Sequence, residues 1–147
     1  MNASAASADA VPDADLIVCC TGAATPLFDG SAVKETAVVI AIGSHDPDSR
    51  ELDDVLMARA SIYVESLRSS QREAGDIVQA MASGAISGPE RLGTLAYLVQ
   101  RRNPRPAGLP AVFKTTGMPW QDLAVAAVYE AYSQETGHPE PTWNGQP

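Results

Sequence analysis

Long apolar runs, basic clusters and usefully spaced cysteines are all scarce in these 147 residues, and each shortage removes a class of protein. No apolar stretch approaches the roughly 20 residues that a membrane-spanning helix needs. Met1 to Val11 has neither the basic start nor the hydrophobic core of a secretory signal. Ten Lys and Arg against eighteen Asp and Glu leave a net charge of −8, which repels nucleic acid and anionic lipid. The densest basic stretch is only Arg101-Arg102 followed by Arg105, so neither a nucleic-acid nor a membrane partner is expected. The two cysteines, Cys19 and Cys20, are neighbours; on a strand they point to opposite faces and are poorly placed to bond each other. They read as small buried hydrophobes of a protein from a reducing, cytoplasmic compartment. His45 and His138 are too isolated to suggest a metal site.

What is present is an ordinary globular composition, 45% apolar and 19% charged, enough to bury one core. Residues 1–12 open with small polar side chains lacking periodicity and are expected as a disordered lead-in, with order beginning near Asp13. Asp15-Leu-Ile-Val-Cys-Cys20 is a short continuous apolar run stopping at Thr21-Gly22, as a strand buried on both faces of a parallel sheet would. Ala37 to Ile42, before Gly43, repeats the pattern, and Ser61 to Glu65 gives a third version. Between the first two, Ser31 to Glu35 has room for little more than a helical turn.

Asp53 to Ala60 reads as a short helix. Ser69-Ser70 cap another, whose apolar positions Ala74, Ile77, Val78 and Met81 recur until Gly84 ends it. Pro89 at a first turn, then Leu92, Leu95, Ala96 and Val99, predicts one more, closed by the stretch Arg101 to Pro106. Gly108 to Phe113 returns as a strand. Trp120 to Tyr132 is the longest helix, with Leu123, Ala126, Ala127 and Glu130 spaced for one buried face. Residues 136–147 carry three prolines and are expected as a flexible tail. Alternating strands and helices argue for an α/β domain with a mostly parallel sheet. In such sheets ligands sit beyond the carboxyl ends of the strands, which makes Thr21-Gly22, Gly43-Ser-His-Asp46 and Lys114-Thr-Thr-Gly117 the candidate site loops. Arg50, Glu51, Asp53 and Asp54, standing before a helix, read mostly as caps and solvated charges. Trp120, Tyr129 and Tyr132 read as packing or interface.

The stretch Gly43-Ser-His-Asp-Pro-Asp-Ser-Arg-Glu-Leu-Asp-Asp54 resembles the ornithine cyclodeaminase/μ-crystallin family, in which a strand ending in Gly is followed by a Pro-Asp or Pro-Gly turn and then Glu-Leu. Further markers lie around it in the family's order: Ala14-Asp-Leu-Ile-Val with Thr21, Ala23-Ala-Thr-Pro26, Glu73-Ala-Gly-Asp76, Leu92-Gly93, and Val112-Phe-Lys-Thr-Thr-Gly117 with Gln121-Asp-Leu123. The resemblance runs from about Asp13 to Tyr132, far more specific than one short motif. The family's phosphate-cradling Gly-x-Gly-x-x-Gly turn has no counterpart among the eleven glycines. What the resemblance implies is therefore residues 13–135 as the C-terminal part of a Rossmann-like NAD(P)-binding domain, lacking its glycine-rich first βαβ unit. The family's upstream half supplies a substrate-binding Arg, a catalytic Lys and a homodimer contact. Its absence here points to a fragment, inactive by itself.

The family match implies that Thr21 lies along an NAD or NADP cofactor, and that Ile42, Gly43, Ser44 and His45 form the loop passing near the nicotinamide. Thr115 replaces a Ser that family members direct at the nicotinamide amide and keeps a hydroxyl. A strand-terminating cap explains Thr21 as well, and a tight turn explains Gly43. His45 stands where cyclodeaminases carry an Asp for proton transfer; the carboxylate has moved to Asp46, and on a loop one step redirects a side chain. His45 is the candidate acid or base, with a surface residue as the plain alternative. Ketimine reductases of the μ-crystallin type also lack that Asp and share the pattern from Pro47 to Asp54. The resemblance thus favours NAD(P)-dependent reduction of a cyclic imino acid. A small amino or imino acid would be the substrate, with ornithine cyclodeamination to proline, or a non-catalytic ligand-binding copy, as alternatives.

Overall fold

The structure, a computed structural model, describes residues 5–102 and 105–137. Five strands form one parallel sheet in the order β1-β2-β5-β3-β4: β1 (Leu16–Cys19), β2 (Val38–Ala41), β3 (Ser61–Val64), β4 (Leu92–Thr94) and β5 (Ala111–Lys114). The three apolar runs read as strands, Asp15 to Cys20, Ala37 to Ile42 and Ser61 to Glu65, become β1, β2 and β3, trimmed by one residue at their ends. Register is continuous across four strands, with Val18 opposite Ile40, Ile40 opposite Phe113 and Phe113 opposite Tyr63. Because all strands run one way, every carboxyl end lies on the same edge, and β1, β2 and β5 are neighbours there. The expected parallel α/β class holds.

Helix α1 (Asp54–Arg59) is capped by Asp53, whose carboxylate accepts from Leu56 N at 2.8 Å and from Gly30 N at 2.8 Å. The same side chain thereby fixes the short 3-10 turn Gly30–Ala32 that bridges β1 and β2. Leu56 and Met57 of α1, with Ile77 and Ala80 from a later helix, join Val39, Val112, Ile62 and Val64 of the sheet in one core.

Several expectations change. Residues 8–13 form a 3-10 helix, Ala8–Asp13, whose first turn is held by the Ser7 hydroxyl accepting from Asp9 N. The helix expected to start at Ser69-Ser70 starts earlier and splits in two. Ser66 caps α2 (Leu67–Glu73), and α3 (Gly75–Ser83) follows after Ala74 leaves the helical region at ψ 96°. The break has a packing cause: a Cβ on Gly75 would lie 1.8 Å from Ser49 O and 2.5 Å from Asp46 O, so the start of α3 is pressed onto the loop after β2. Leu92 to Thr94, expected as helix, is the edge strand β4. Leu92 is buried, and the Thr94 hydroxyl caps the short α4 (Leu95–Val99) by accepting from Tyr97 N at 3.2 Å. Strand β1 is buried on one face only: Cys19 is buried, whereas Leu16 and Val18 are exposed.

Among the described residues, the segment that starts at Gly117 is a separate compact unit built on α5 (Pro119–Thr136), for which the sequence predicts a helix over Trp120 to Tyr132. Met118 N donates to the Gln121 side chain at 3.0 Å, closing the first turn. The buried stripe expected at Leu123, Ala126, Ala127 and Glu130 is not found, since no α5 residue is buried. Apolar side chains do recur on the helix, with Val125, Val128, Tyr129 and Tyr132 at i, i+3, i+4 and i+7, but within this unit no second described element packs on them, and all four are exposed. Of the expected tail, residues 138–147 lie outside the described residues, as does His138. No helix of the described residues is long and apolar enough to cross a membrane.

Candidate functional site

The ends of β1 and β2 carry Thr21 and Gly43, and one buried side chain joins them. Glu51 is fully buried; its Oε1 accepts from Thr21 N at 2.6 Å and from the Thr21 hydroxyl at 2.9 Å, and its Oε2 accepts from Gly43 N at 2.9 Å. The two loops meet so closely that a Cβ on Gly43 would lie 2.0 Å from Thr21 O. Glycine at 43 is therefore required by the neighbouring loop. The Thr21 hydroxyl, with its proton on Glu51, also accepts from Ala23 N at 3.3 Å, so the strand-terminating turn weighed for Thr21 is present.

Glu51 is held in turn. Oδ1 of Asp76, in the first turn of α3, accepts from Glu51 N and Leu52 N, each at 2.8 Å. Oδ2 of Asp76 lies 3.2 Å from Lys114 Nζ, at the end of β5, and both side chains are fully buried. The pair is close enough for charge attraction but lacks hydrogen-bond geometry, and these two atoms have no other hydrogen-bond partner. Burial, followed by the carboxylates of Glu51 and Asp76, pushes the neighbouring Cys19 thiol up to about 12, so it stays protonated. A residue set read from sequence as caps and solvated charges thus divides. Asp53 is the cap of α1 and Arg50 pairs with Asp54 at 2.7 Å, but Glu51 is an interior ligand of two loops. Lys114 stands in one of the candidate site loops and Asp76 in a family marker, but the sequence assigns neither a role. Their signal was present, as an acid beside a helix-breaking glycine and a lysine ending an apolar strand, but polar residues there are ordinary at solvent-facing ends.

The remaining predicted residues lie along the same edge. Ile42 N donates to Cys19 O at 2.9 Å and Thr115 N to Ala41 O at 3.2 Å, so the ends of β1, β2 and β5 interlock. The Ile42 side chain is 45% exposed, an apolar surface at the carboxyl edge. Ser44 turns inward, its hydroxyl donating to Ser49 O. His45 is exposed, with Nδ1 3.2 Å from Gly43 O. Asp46 is engaged locally, its Oδ1 accepting from Asp48 N at 2.8 Å. The Thr115 hydroxyl donates to Glu65, just beyond β3. Cys20 is exposed, unlike the buried cysteine expected there. Among the described residues no group of three His, Cys, Asp or Glu side chains converges as a metal set.

A sequence model of the ornithine cyclodeaminase/mu-crystallin family matches residues 1–136. The chain is similar to the Delta(1)-pyrroline-2-carboxylate reductase of Colwellia psychrerythraea, 36% identical over 118 residues, which are 79% of this chain and 37% of that protein. It is 36% identical to the ketimine reductase mu-crystallin of Mus musculus over 126 residues, 85% of this chain and 38% of that one. Among solved structures, the iminosuccinate reductase of Paracoccus denitrificans in complex with NAD+ matches with a TM-score of 0.84 at 31% identity, covering 91% of this chain and 42% of that chain. The chain spans less than two fifths of the length of these curated relatives.

Proposed function

The chain belongs to the ornithine cyclodeaminase/mu-crystallin family, and from that premise we propose that it forms the nicotinamide side of an NAD(P) site serving reduction of a cyclic imino acid. The observation that carries this reading is the sheet order β1-β2-β5, which sets the loops of Thr21, Ile42 to His45 and Thr115 side by side at the carboxyl edge, where parallel sheets bind ligands. The residues fit that part of a dinucleotide. Ile42 offers an exposed apolar surface for a planar ring, and the flanking turns are fixed by Glu51 before any ligand arrives. No Gly-x-Gly-x-x-Gly turn for a pyrophosphate occurs in the sequence, so the proposal is confined to the nicotinamide end.

A bound nicotinamide cofactor supplies a hydride for the carbon of a protonated imine. This chain's part is to orient and to hold a proton. Thr21 contributes by shaping its turn, since its backbone N–H and its hydroxyl proton are both engaged by Glu51, and Ser44 shapes the neighbouring loop from inside. Hydrogen bonding of His45 Nδ1 to Gly43 O fixes the ring and leaves Nε2 to exchange a proton with an imine nitrogen. Histidine where cyclodeaminases place an aspartate favours imine reduction over ornithine cyclodeamination. The same reading carries a small amino or imino acid substrate, a homodimeric full-length protein and, with two unpaired cysteines, a cytoplasmic setting. Isothermal titration of the 147-residue chain with NADH and NADPH tests it. Saturable binding is expected, and a cooperatively folded chain that binds neither nucleotide overturns the proposal.

A further inference from the structure

Three loops that come from strands far apart in sequence need one mutual arrangement if they are to serve one site, and exposed loop ends do not hold such an arrangement unaided. In this chain the arrangement is set from beneath. Lys114, the last residue of β5, pairs with Asp76; Asp76 fixes the backbone of Glu51 and Leu52; Glu51 fixes the backbone at Thr21 and Gly43. The chain of contacts touches the ends of β1, β2 and β5 in turn, and all three side chains are withdrawn from solvent.

We propose that Glu51 is the positioning residue of this edge, its two carboxylate oxygens setting the separation and orientation of the Thr21 and Gly43 turns. The proposal goes deeper into the cofactor reading and rests on it in one respect only, that these turns face the nicotinamide. The geometry is selective for a carboxylate. Donors approach both oxygens, two from Thr21 on Oε1 and one from Gly43 on Oε2, and an amide of the same size would place its own N–H group against one of them. Aspartate, shorter by one methylene, cannot hold both turns from the same backbone position.

Glu51→Gln in the 147-residue chain, followed by amide hydrogen exchange and NADH titration, tests this. In the folded variant we expect exchange at Thr21 or Gly43 to accelerate roughly ten- to a hundredfold, the scale of a lost hydrogen bond to a charged group, and NADH affinity to fall at least about tenfold. Amides in β3, remote from Glu51, should keep their exchange rates relative to global unfolding, a pattern that general destabilisation does not produce. Thr21→Val is the second variant should Glu51→Gln not fold. It removes one donor to Oε1 and leaves the acceptor in place, and faster exchange confined to Thr21 and Ala23 is expected. Retained protection at both turns in a folded variant overturns the positioning role. Lost protection with unchanged NADH affinity overturns the link to the site. A wild-type chain that binds neither nucleotide sinks the cofactor reading instead, and the exchange comparison then decides the hold of Glu51 by itself.

Discussion

Two sets of side chains alternate along the same strands and meet different surroundings. Val39, Ala41, Val112, Ile62, Val64 and Cys19 face α1 and α3 and are buried almost completely. Their neighbours in sequence project to the other face. There Leu95 and Leu98 of α4 line a cavity of about 180 Å³ together with residues including Val38, Tyr63 and Phe113 of the sheet, while Leu16 and Val18 on β1 remain 58% and 51% exposed. Apolar character alone therefore does not say which face a strand buries; the helices over it do. The sharpest contrast is one residue wide. Cys19 is buried and Cys20 exposed, so a thiol reagent at pH 8 should modify one cysteine per folded chain, at Cys20, and reach Cys19 only on unfolding. The expected ratio of rates spans several orders of magnitude, since Cys19 is opened at up to the global unfolding free energy, about 5–15 kcal/mol. Equal labelling of both in the folded chain would break the comparison. Alkali should act through the same residue. The folded thiol ionises near 12 against an ordinary value of 9.0, so the native state holds the extra proton between these values and stability is lost as pH rises from about 9 toward 12. Replacing Cys19 with Ala should remove that part of the alkaline slope in urea titrations.

The covered face also contains the charge pair, and its cost is asymmetric. Lys114 and Asp76 are both buried to completion, so removing one partner leaves the other charged and unpaired. Lys114→Met should destabilise the chain by about 3–5 kcal/mol, read from the urea midpoint. Replacing both partners with apolar residues should recover part of the Lys–Asp term, but it frees Glu51 N and Leu52 N, which Asp76 Oδ1 accepts. A Lys114→Met chain as stable as wild type would show that the pair contributes nothing to the covered face.

How far such features were legible in the sequence follows from the range of the forces involved. β1, β2 and β3 were readable because each is a local apolar run ended by a turn residue, and Asp53 announced itself by standing before a helix. The edge where Thr21, Ile42 and Thr115 assemble was readable as three loops, because parallel strands put all their carboxyl ends on one side. What failed depended on distant partners. The helix drawn through Ala74 breaks because Gly75 meets Ser49 and Asp46, some 26 to 29 positions earlier. Leu92 to Thr94 has helical spacing with its successors but pairs with β3. Glu51 sits in a run of charges whose other members are exposed or half-buried, and only the fold turns it inward.

The smallest effect separates the two faces most directly, because it compares substitutions of similar size on opposite sides of one sheet. Ile62 is 2% exposed and packs in the core, and its shortening to Val deletes a methyl that nothing else can replace, at about 0.5–1.5 kcal/mol. Val18 belongs to the same sheet, with Ile40 and Phe113 between it and β3, yet half its surface meets solvent. Val18→Thr exchanges a methyl for a hydroxyl that water can satisfy, and the change should stay within about 0.5 kcal/mol. If β-sheet propensity governed both sites, the two conservative exchanges would cost alike, since Val, Ile and Thr all favour strands. A measured cost at Val18 equal to or above that at Ile62 would mean that the open face is covered in solution.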